Sequence, residues 1–155
     1  MTLEPRPRTV ALMTSQSIHA TAEPTGAHPR VRDCMHAGII SCSPDTPLRE
    51  VARLMAEHRV HAIAVPEVGH GRPWGTWGIV SDMDLMAAVA AERKAQARQL
   101  AAMPSPTISA DEELGSAAQM MEEHAVAHLV VIDSADGYPV GIISTLDVAC
   151  AYAGG

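Results

Sequence analysis

Two short stretches of the chain place a serine and an aspartate where they can do chemistry. Gly78-Ile79-Val80-Ser81-Asp82-Met83-Asp84 and Gly141-Ile142-Ile143-Ser144-Thr145-Leu146-Asp147 share the pattern Gly-h-h-Ser-x-x-Asp, with h apolar. In each, a strand-like apolar run leads directly into a helical pattern, so the Ser stands at the turn and the Asp in the first helical turn. A carboxylate there offers acceptors for the vicinal hydroxyls of a sugar, and the Ser hydroxyl lies near the unpaired N–H groups that make a helix N-terminus an anion site. The same residues suit a second purpose. Ser81 with Asp82, or Ser144, can cap a helix, and Asp84 and Asp147 are acids that a helix dipole favours.

Other constellations are weaker. His58 and His61, or His124 and His128, have spacings that a helix could turn into a zinc site, but each pair straddles an expected helix-to-strand boundary. No metal is therefore expected. No G-x-S-x-G elbow and no nucleophile with an identifiable base is present, so no enzyme is expected. Cys34, Cys42 and Cys150 are too few and too scattered for a disulfide framework and read as small hydrophobes. Met55, Met120 and Met121 read as core fillers. Trp74 and Trp77 fit either an exposed patch or a cap on the sheet end.

The elements that must position the two Ser-x-x-Asp stretches come as a repeat. A shift of 66 residues lays Leu48, Ala52, Met55, Glu57, His58, Val60 and Val65 on Leu114, Ala118, Met121, Glu123, His124, Val126 and Val131. A shift of 63, allowing a longer loop in the first copy, aligns the two Gly-h-h-Ser-x-x-Asp stretches. Each copy reads β-α-β-β-α. Extended pieces at Ile39–Ser43 and Thr107–Ser109 precede helices with apolar faces at Leu48, Val51, Ala52 and Met55, or at Leu114, Ala117, Ala118 and Met121. Thr46 with Pro47, and Asp111, suit the caps. The helices end near His58 and His124. Strands follow at His61–Val65 and His128–Ile132, then at Gly78–Val80 and Gly141–Ile143. A last helix of the first copy is expected from Asp82 to Arg98. Its apolar run from Leu85 to Ala91 goes all round the helix, which calls for cover from the sister copy or a second chain; a homodimer is expected.

Composition sets the outer limits. The chain has 155 residues, 47% hydrophobic and 19% charged, with a net charge of −7 and only 11 Lys+Arg. That is globular composition, and it disfavours nucleic acid, whose affinity comes largely from Lys and Arg on phosphates. No apolar stretch approaches the roughly 20 residues of a membrane span, and none resembles a signal peptide. A soluble cytoplasmic protein is expected, with no membrane partner. Residues 1–30, carrying Pro5, Pro7, Pro24 and Pro29, read as a flexible leader. Residues 31–98 form the first repeat and 99–155 the second.

The pattern resembles the CBS domain, and the two copies resemble a tandem CBS pair, or Bateman module, from about Val31 to Ala153. Val31-Arg32-Asp33-Cys34-Met35 resembles the opening segment of such a pair. Ser41-Cys42-Ser43-Pro44, with Thr107-Ile108-Ser109-Ala110 opposite, resembles its first-strand motif. The resemblance implies an α/β (α+β) fold of two repeats packed sheet to sheet as a pseudo-two-fold pair with two clefts. It also implies a sensor rather than a catalyst, binding AMP, ADP, ATP, S-adenosylmethionine or cyclic di-AMP and often pairing into disc-shaped dimers.

On that footing Asp84 and Asp147 are expected at the ribose, and Ser81 and Ser144 near phosphate. Ser41 and Thr107 would line the base end, with Val60, His61 and Ala62, and Val126, Ala127 and His128, walling the adenine. Two departures matter. Met83 and Leu146 stand where nucleotide-binding members often carry Arg or Lys, and Asp82 adds a negative charge. Unless Arg32, Arg59, Arg72 or a partner chain supplies a cation, AMP, adenosine or S-adenosylmethionine is favoured over ATP. No cofactor is required. The expected function is a stand-alone regulatory module acting through a separate, unidentified effector protein. The alternative is a dimeric scaffold that binds no ligand.

Overall fold

In the computed structural model, residues 28–67 and 75–154 are described. Positions 1–27 of the expected leader, Arg72 and Trp74 lie outside them. The elements run α1 (Val31–Cys34), β1 (His36–Ala37), α2 (Leu48–His58), β2 (Ala62–Glu67), β3 (Thr76–Ser81) and α3 (Asp82–Ala90). Then come α4 (Ala97–Leu100), β4 (Thr107–Ser109), α5 (Leu114–His124), β5 (His128–Ile132), β6 (Pro139–Ser144) and α6 (Thr145–Tyr152).

Helices α2 and α5 bury the stripes that their spacing marks out: Val51 and Met55 in one, Leu114, Ala117 and Met121 in the other. Both end on a residue in the left-handed conformation, Arg59 at φ 53° and Ala125 at φ 51°. That turns the chain sharply into β2 and β5. These two strands are buried on both faces over Ala62–Val65 and Leu129–Val131, which explains their unbroken apolar runs. One face packs under helices. The other forms a seam between the repeats, where Ala62, Ile79 and Val130 meet Ile39, Trp77 and Ile132.

Each repeat is completed by the segment that precedes the other. Strands β1, β6, β5 and β4 form one sheet, in which β4 and β5 run parallel and the other pairs antiparallel. Strand β1 therefore comes from the start of the chain, yet lies at the edge of the second repeat. Strands β2 and β3 pair antiparallel. Beside them, Ser41 bridges Ala64 in parallel and Ala102 bridges Ile79, as β4 and β1 do in the other sheet. Val31 is fully buried in the second repeat's core, among Ile108, Leu114 and Leu129; Ala97, 66 residues on, is fully buried in the first, among Val51, Ile63 and Leu85. The ion pairs Arg32–Asp111 and Arg98–Asp45 obey the same shift.

This crossing corrects several expectations. Leu48 N–H donates to the Ala95 carbonyl at 2.9 Å, and Leu114 N–H to that of Pro29 at 2.9 Å. The crossing backbone thus satisfies the first helical amides. Pro47 and Glu113 occupy the cap positions without side-chain bonds, in place of Thr46 and Asp111. The helix expected to run to Arg98 stops at Ala90, because Glu92 turns left-handed at φ 51° and the chain then crosses to bridge Pro47 through Gln96. The boundary expected between residues 98 and 99 falls inside α4. Ile39–Ser43 forms no strand beyond the single bridge at Ser41.

Candidate functional site

The two Ser-x-x-Asp stretches form the same reciprocal box. In the first, Ser81 Oγ accepts from Asp84 N–H at 3.2 Å, while Asp84 Oδ2 accepts from Ser81 N–H at 2.8 Å and from its hydroxyl at 2.6 Å. In the second, Ser144 Oγ accepts from Asp147 N–H at 3.3 Å, and Asp147 Oδ2 accepts at 2.7 and 2.6 Å. The capping role is therefore real. It uses only one oxygen of each carboxylate.

The remaining oxygens differ. Asp84 Oδ1 has no partner among the described residues, whereas Asp147 Oδ1 lies 3.2 Å from Nδ1 of His36, with the Asp147 side chain only 10% exposed. The repeat explains the contrast. His36 stands on crossing strand β1, and the matching residue beside the first box is Ala102, which cannot reach.

A polar centre gathers around these helix starts. His61 Nδ1 lies 2.9 Å from Asp82 Oδ2, and the His61 carbonyl accepts from Asp82 N–H at 2.9 Å. Ala127 holds Thr145 N–H in the same way at 3.0 Å. His128 is half-buried. Burial pushes its imidazole below the ordinary value, with the nearby His61 acting in the same direction and the negative charges of Asp82, Asp147 and Asp84 opposing it. Six side chains are thus brought together: Asp82, Asp84, Asp147, His36, His61 and His128. Among the described residues no group of three His, Cys, Asp or Glu could hold a metal ion. Burial pushes the thiols of Cys34 and Cys42 upward, which makes them poor nucleophiles.

The other expected site residues are dispersed. Ala62 is buried in the seam. Ser41 and Thr107 are exposed and stand one strand away, level with Ala64 and Val130. Ala127 is exposed. Val60 and Val126 pack against the helix-side cores instead of walling a cleft, because the left-handed residue before each turns it back under its helix. Trp77 is half-buried in the seam, and its indole N–H has no partner among the described residues. His36 was missed by motif reasoning, since it lies more than 100 residues from its carboxylate; only extending the 66-residue shift to the crossing segments brings it into view.

The model of the CBS domain family matches residues 31–91 and again residues 97–154. The chain belongs to the CBS domain family. A CBS domain-containing protein of Bacillus subtilis (strain 168), YhcV, is 29% identical over 122 residues, covering 77% of this chain and 82% of that protein. The CBS domain pair of protein MJ0100, solved with 5-methylthioadenosine and S-adenosyl-L-methionine, superposes with a TM-score of 0.70 at 20% identity. The match covers 82% of this chain and 98% of that one. CBS domain protein PAE2072 from Pyrobaculum aerophilum, solved with AMP, gives a TM-score of 0.66 at 24% identity, covering 82% and 100%. The fold is that of a CBS pair. No helix among the described residues is long and apolar enough to cross a membrane.

Proposed function

We propose that this CBS pair is a regulatory module that binds an adenosine-containing ligand between its repeats and passes the signal to a separate effector, with no catalysis of its own. The observation that carries the reading is the twice-built box, in which Ser81 and Ser144 hold Asp84 and Asp147 by one oxygen. The other oxygen of Asp84 is left for ribose hydroxyls. His61, Ala127 and His128 flank the same helix starts and belong to the base ends of the clefts, and Ser41 and Thr107, one strand away, line their outer rims.

The electrostatics select among adenosyl ligands. Asp82, Asp84 and Asp147 surround a histidine held toward its neutral form, and Arg32 is paired with Asp111. A triphosphate meets like charge here, whereas the sulfonium of S-adenosylmethionine meets opposite charge. The expected order is S-adenosylmethionine, then AMP, then ATP.

The module acts as a homodimer. Met83, Met86 and Val89 on α3 are 71%, 51% and 57% exposed, and Leu146 and Tyr152 on α6 are 63% and 93% exposed. Stripes of that kind on two repeat-related helices suit a second copy.

A second reading, a dimeric scaffold with no ligand, is favoured by one observation: every polar atom of the Asp147 box already has a protein partner. Thermal unfolding against AMP, ADP, ATP, S-adenosylmethionine and cyclic di-AMP separates the two. A ligand at about 100 times its Kd stabilises by about 2.7 kcal/mol. Asp84→Ala abolishes that shift, and it also lowers the ligand-free midpoint, because loss of a cap costs about 1 kcal/mol. The ligand-induced difference is therefore the quantity to compare. No shift with any of the five at millimolar concentration establishes the scaffold.

A further inference from the structure

We propose that two copies of this chain assemble head to tail, with α2 and α3 of one protomer packed on α5 and α6 of its partner. This rests on the homodimer reading above and adds its orientation. Each repeat carries a groove between its two main helices. The first, about 740 Å³, has Leu85 and Val89 in its lining and the cations Arg49, Arg93 and Lys94 around it. The second, about 290 Å³, is lined by Met121, Val126 and Val148, with Glu122 its one charged lining residue. The exposed stripes of α3 and α6 lie beside these grooves, so either orientation covers apolar surface. Charge decides between them.

Within α2, Glu50 and Glu57 are both paired with Arg53. Arg49, Arg93 and Lys94 have no carboxylate partner among the described residues, in a chain with only 11 Lys+Arg. The second repeat shows the opposite sign: α5 carries Glu122 and Glu123 at its end and follows Glu112 and Glu113, and neither α5 nor α6 contains Lys or Arg. Head-to-head packing sets three unpaired cations against their own copies and Glu122 against itself. Head-to-tail packing sets the cationic groove against the acidic helices twice across one two-fold axis, and like-charge contacts are avoided.

Cys150 reads out the orientation directly. It is exposed on α6, and Ala87, 63 residues earlier, is exposed at the matching position of α3. In a Cys34→Ser, Cys42→Ser background, the Ala87→Cys protein is treated with a short bis-maleimide, and the linked peptides are mapped. Head-to-tail assembly gives links between residues 87 and 150 of different protomers. Links from 150 to 150 and from 87 to 87, or a dimer with neither kind, overturn the proposal. So does a monomer by light scattering at micromolar concentration. The adenosyl thermal shift, read on the same sample, shows independently whether the ligand-binding reading stands. A charge exchange gives a second readout. Arg93→Glu with Lys94→Glu weakens dimerisation by tenfold or more, and adding Glu122→Lys restores it. Absence of restoration overturns the proposal.

Discussion

Substituting the first glycine of each Ser-x-x-Asp stretch should have unequal effects, although the two glycines are repeat-related. A Cβ on Gly141 would stand inside 3.0 Å of the His36 carbonyl oxygen, with the His36 carbonyl carbon at 3.3 Å and Met35 Sδ at 3.0 Å. Backbone cannot rotate away, so Gly141→Ala must push strand β1 off β6. That strand is held by its pairing at His36–Ile142 and Ala37–Gly141 and by Gly38 N–H donating to the Val140 carbonyl at 2.8 Å. Loss of two to three such hydrogen bonds at about 1 kcal/mol each costs about 2–3 kcal/mol. With about 2–4 °C per kcal/mol for a chain of this size, the midpoint falls by about 5–10 °C. On Gly78 the same Cβ stands 2.5 Å from Met103 Cγ and 3.0 Å from Met103 Cε and Ala101 Cβ, so the Met103 side chain must move aside. Methionine is unbranched and adapts, and no backbone hydrogen bond has to break. Such overpacking costs about 1 kcal/mol, the low end of its range, so Gly78→Ala should lower the midpoint by about 2–4 °C, less than Gly141→Ala. Thermal melts of the two variants in one buffer decide the matter. Equal losses, or an unaffected Gly141→Ala, would refute the claim that β1 passes over Gly141 as a fixed backbone.

Two further perturbations test the polar centre. His36→Ala frees the second oxygen of Asp147; as the His36 side chain is 82% exposed, the contact is worth at most about 1 kcal/mol, so affinity at that cleft rises by up to about fivefold in calorimetric titration. An unchanged titration would show that His36 does not compete. His128, whose folded pKa is depressed by burial, binds fewer protons folded than unfolded, so stability is full above the unfolded value of about 6.5 and falls as pH drops through it toward the folded value. His128→Asn should flatten the decline of the midpoint between pH 7.5 and 5; identical slopes would remove His128 as its source.

The repeat was legible because two copies of a short pattern must build the same local structures. The 66-residue shift that aligns Leu48 with Leu114 also holds for the left-handed caps Arg59 and Ala125. The crossing was legible only in part. Val31-Arg32 and Ala97-Arg98 obey the same shift, as do their partners Asp111 and Asp45. Yet residues 91–100 are nearly all good helix formers, and local propensity there continues α3. What stops the helix is Glu92, a residue with no turn preference, drawn left-handed because Ala97 is buried under the first repeat. A non-local contact overrides a local preference, and one copy alone carries no sign of it. The Ser-x-x-Asp boxes could be placed from sequence. Which carboxylate oxygen stays open could not, since that depends on the crossing strand.

Where the repeats agree and where they differ separates structure from function. Positions that hold the fold are matched: Val51 with Ala117, Met55 with Met121, Ile63 with Leu129, Val80 with Ile143, and both boxes. The mismatches fall around the helix starts and on the outer helix faces. Asp82 stands opposite Thr145, His61 opposite Ala127, Ala62 opposite His128 and Ala102 opposite His36; on the outer faces, Arg49 stands opposite Gly115 and Ala56 opposite Glu122. A scaffold that needed only to pair with itself could keep its clefts symmetric at no cost to folding. This chain instead places four histidine or aspartate substitutions within the centre that the two boxes share. The asymmetry makes the surroundings of the two boxes chemically distinct, and the two outer helix faces differ in charge, which is the basis of the head-to-tail proposal.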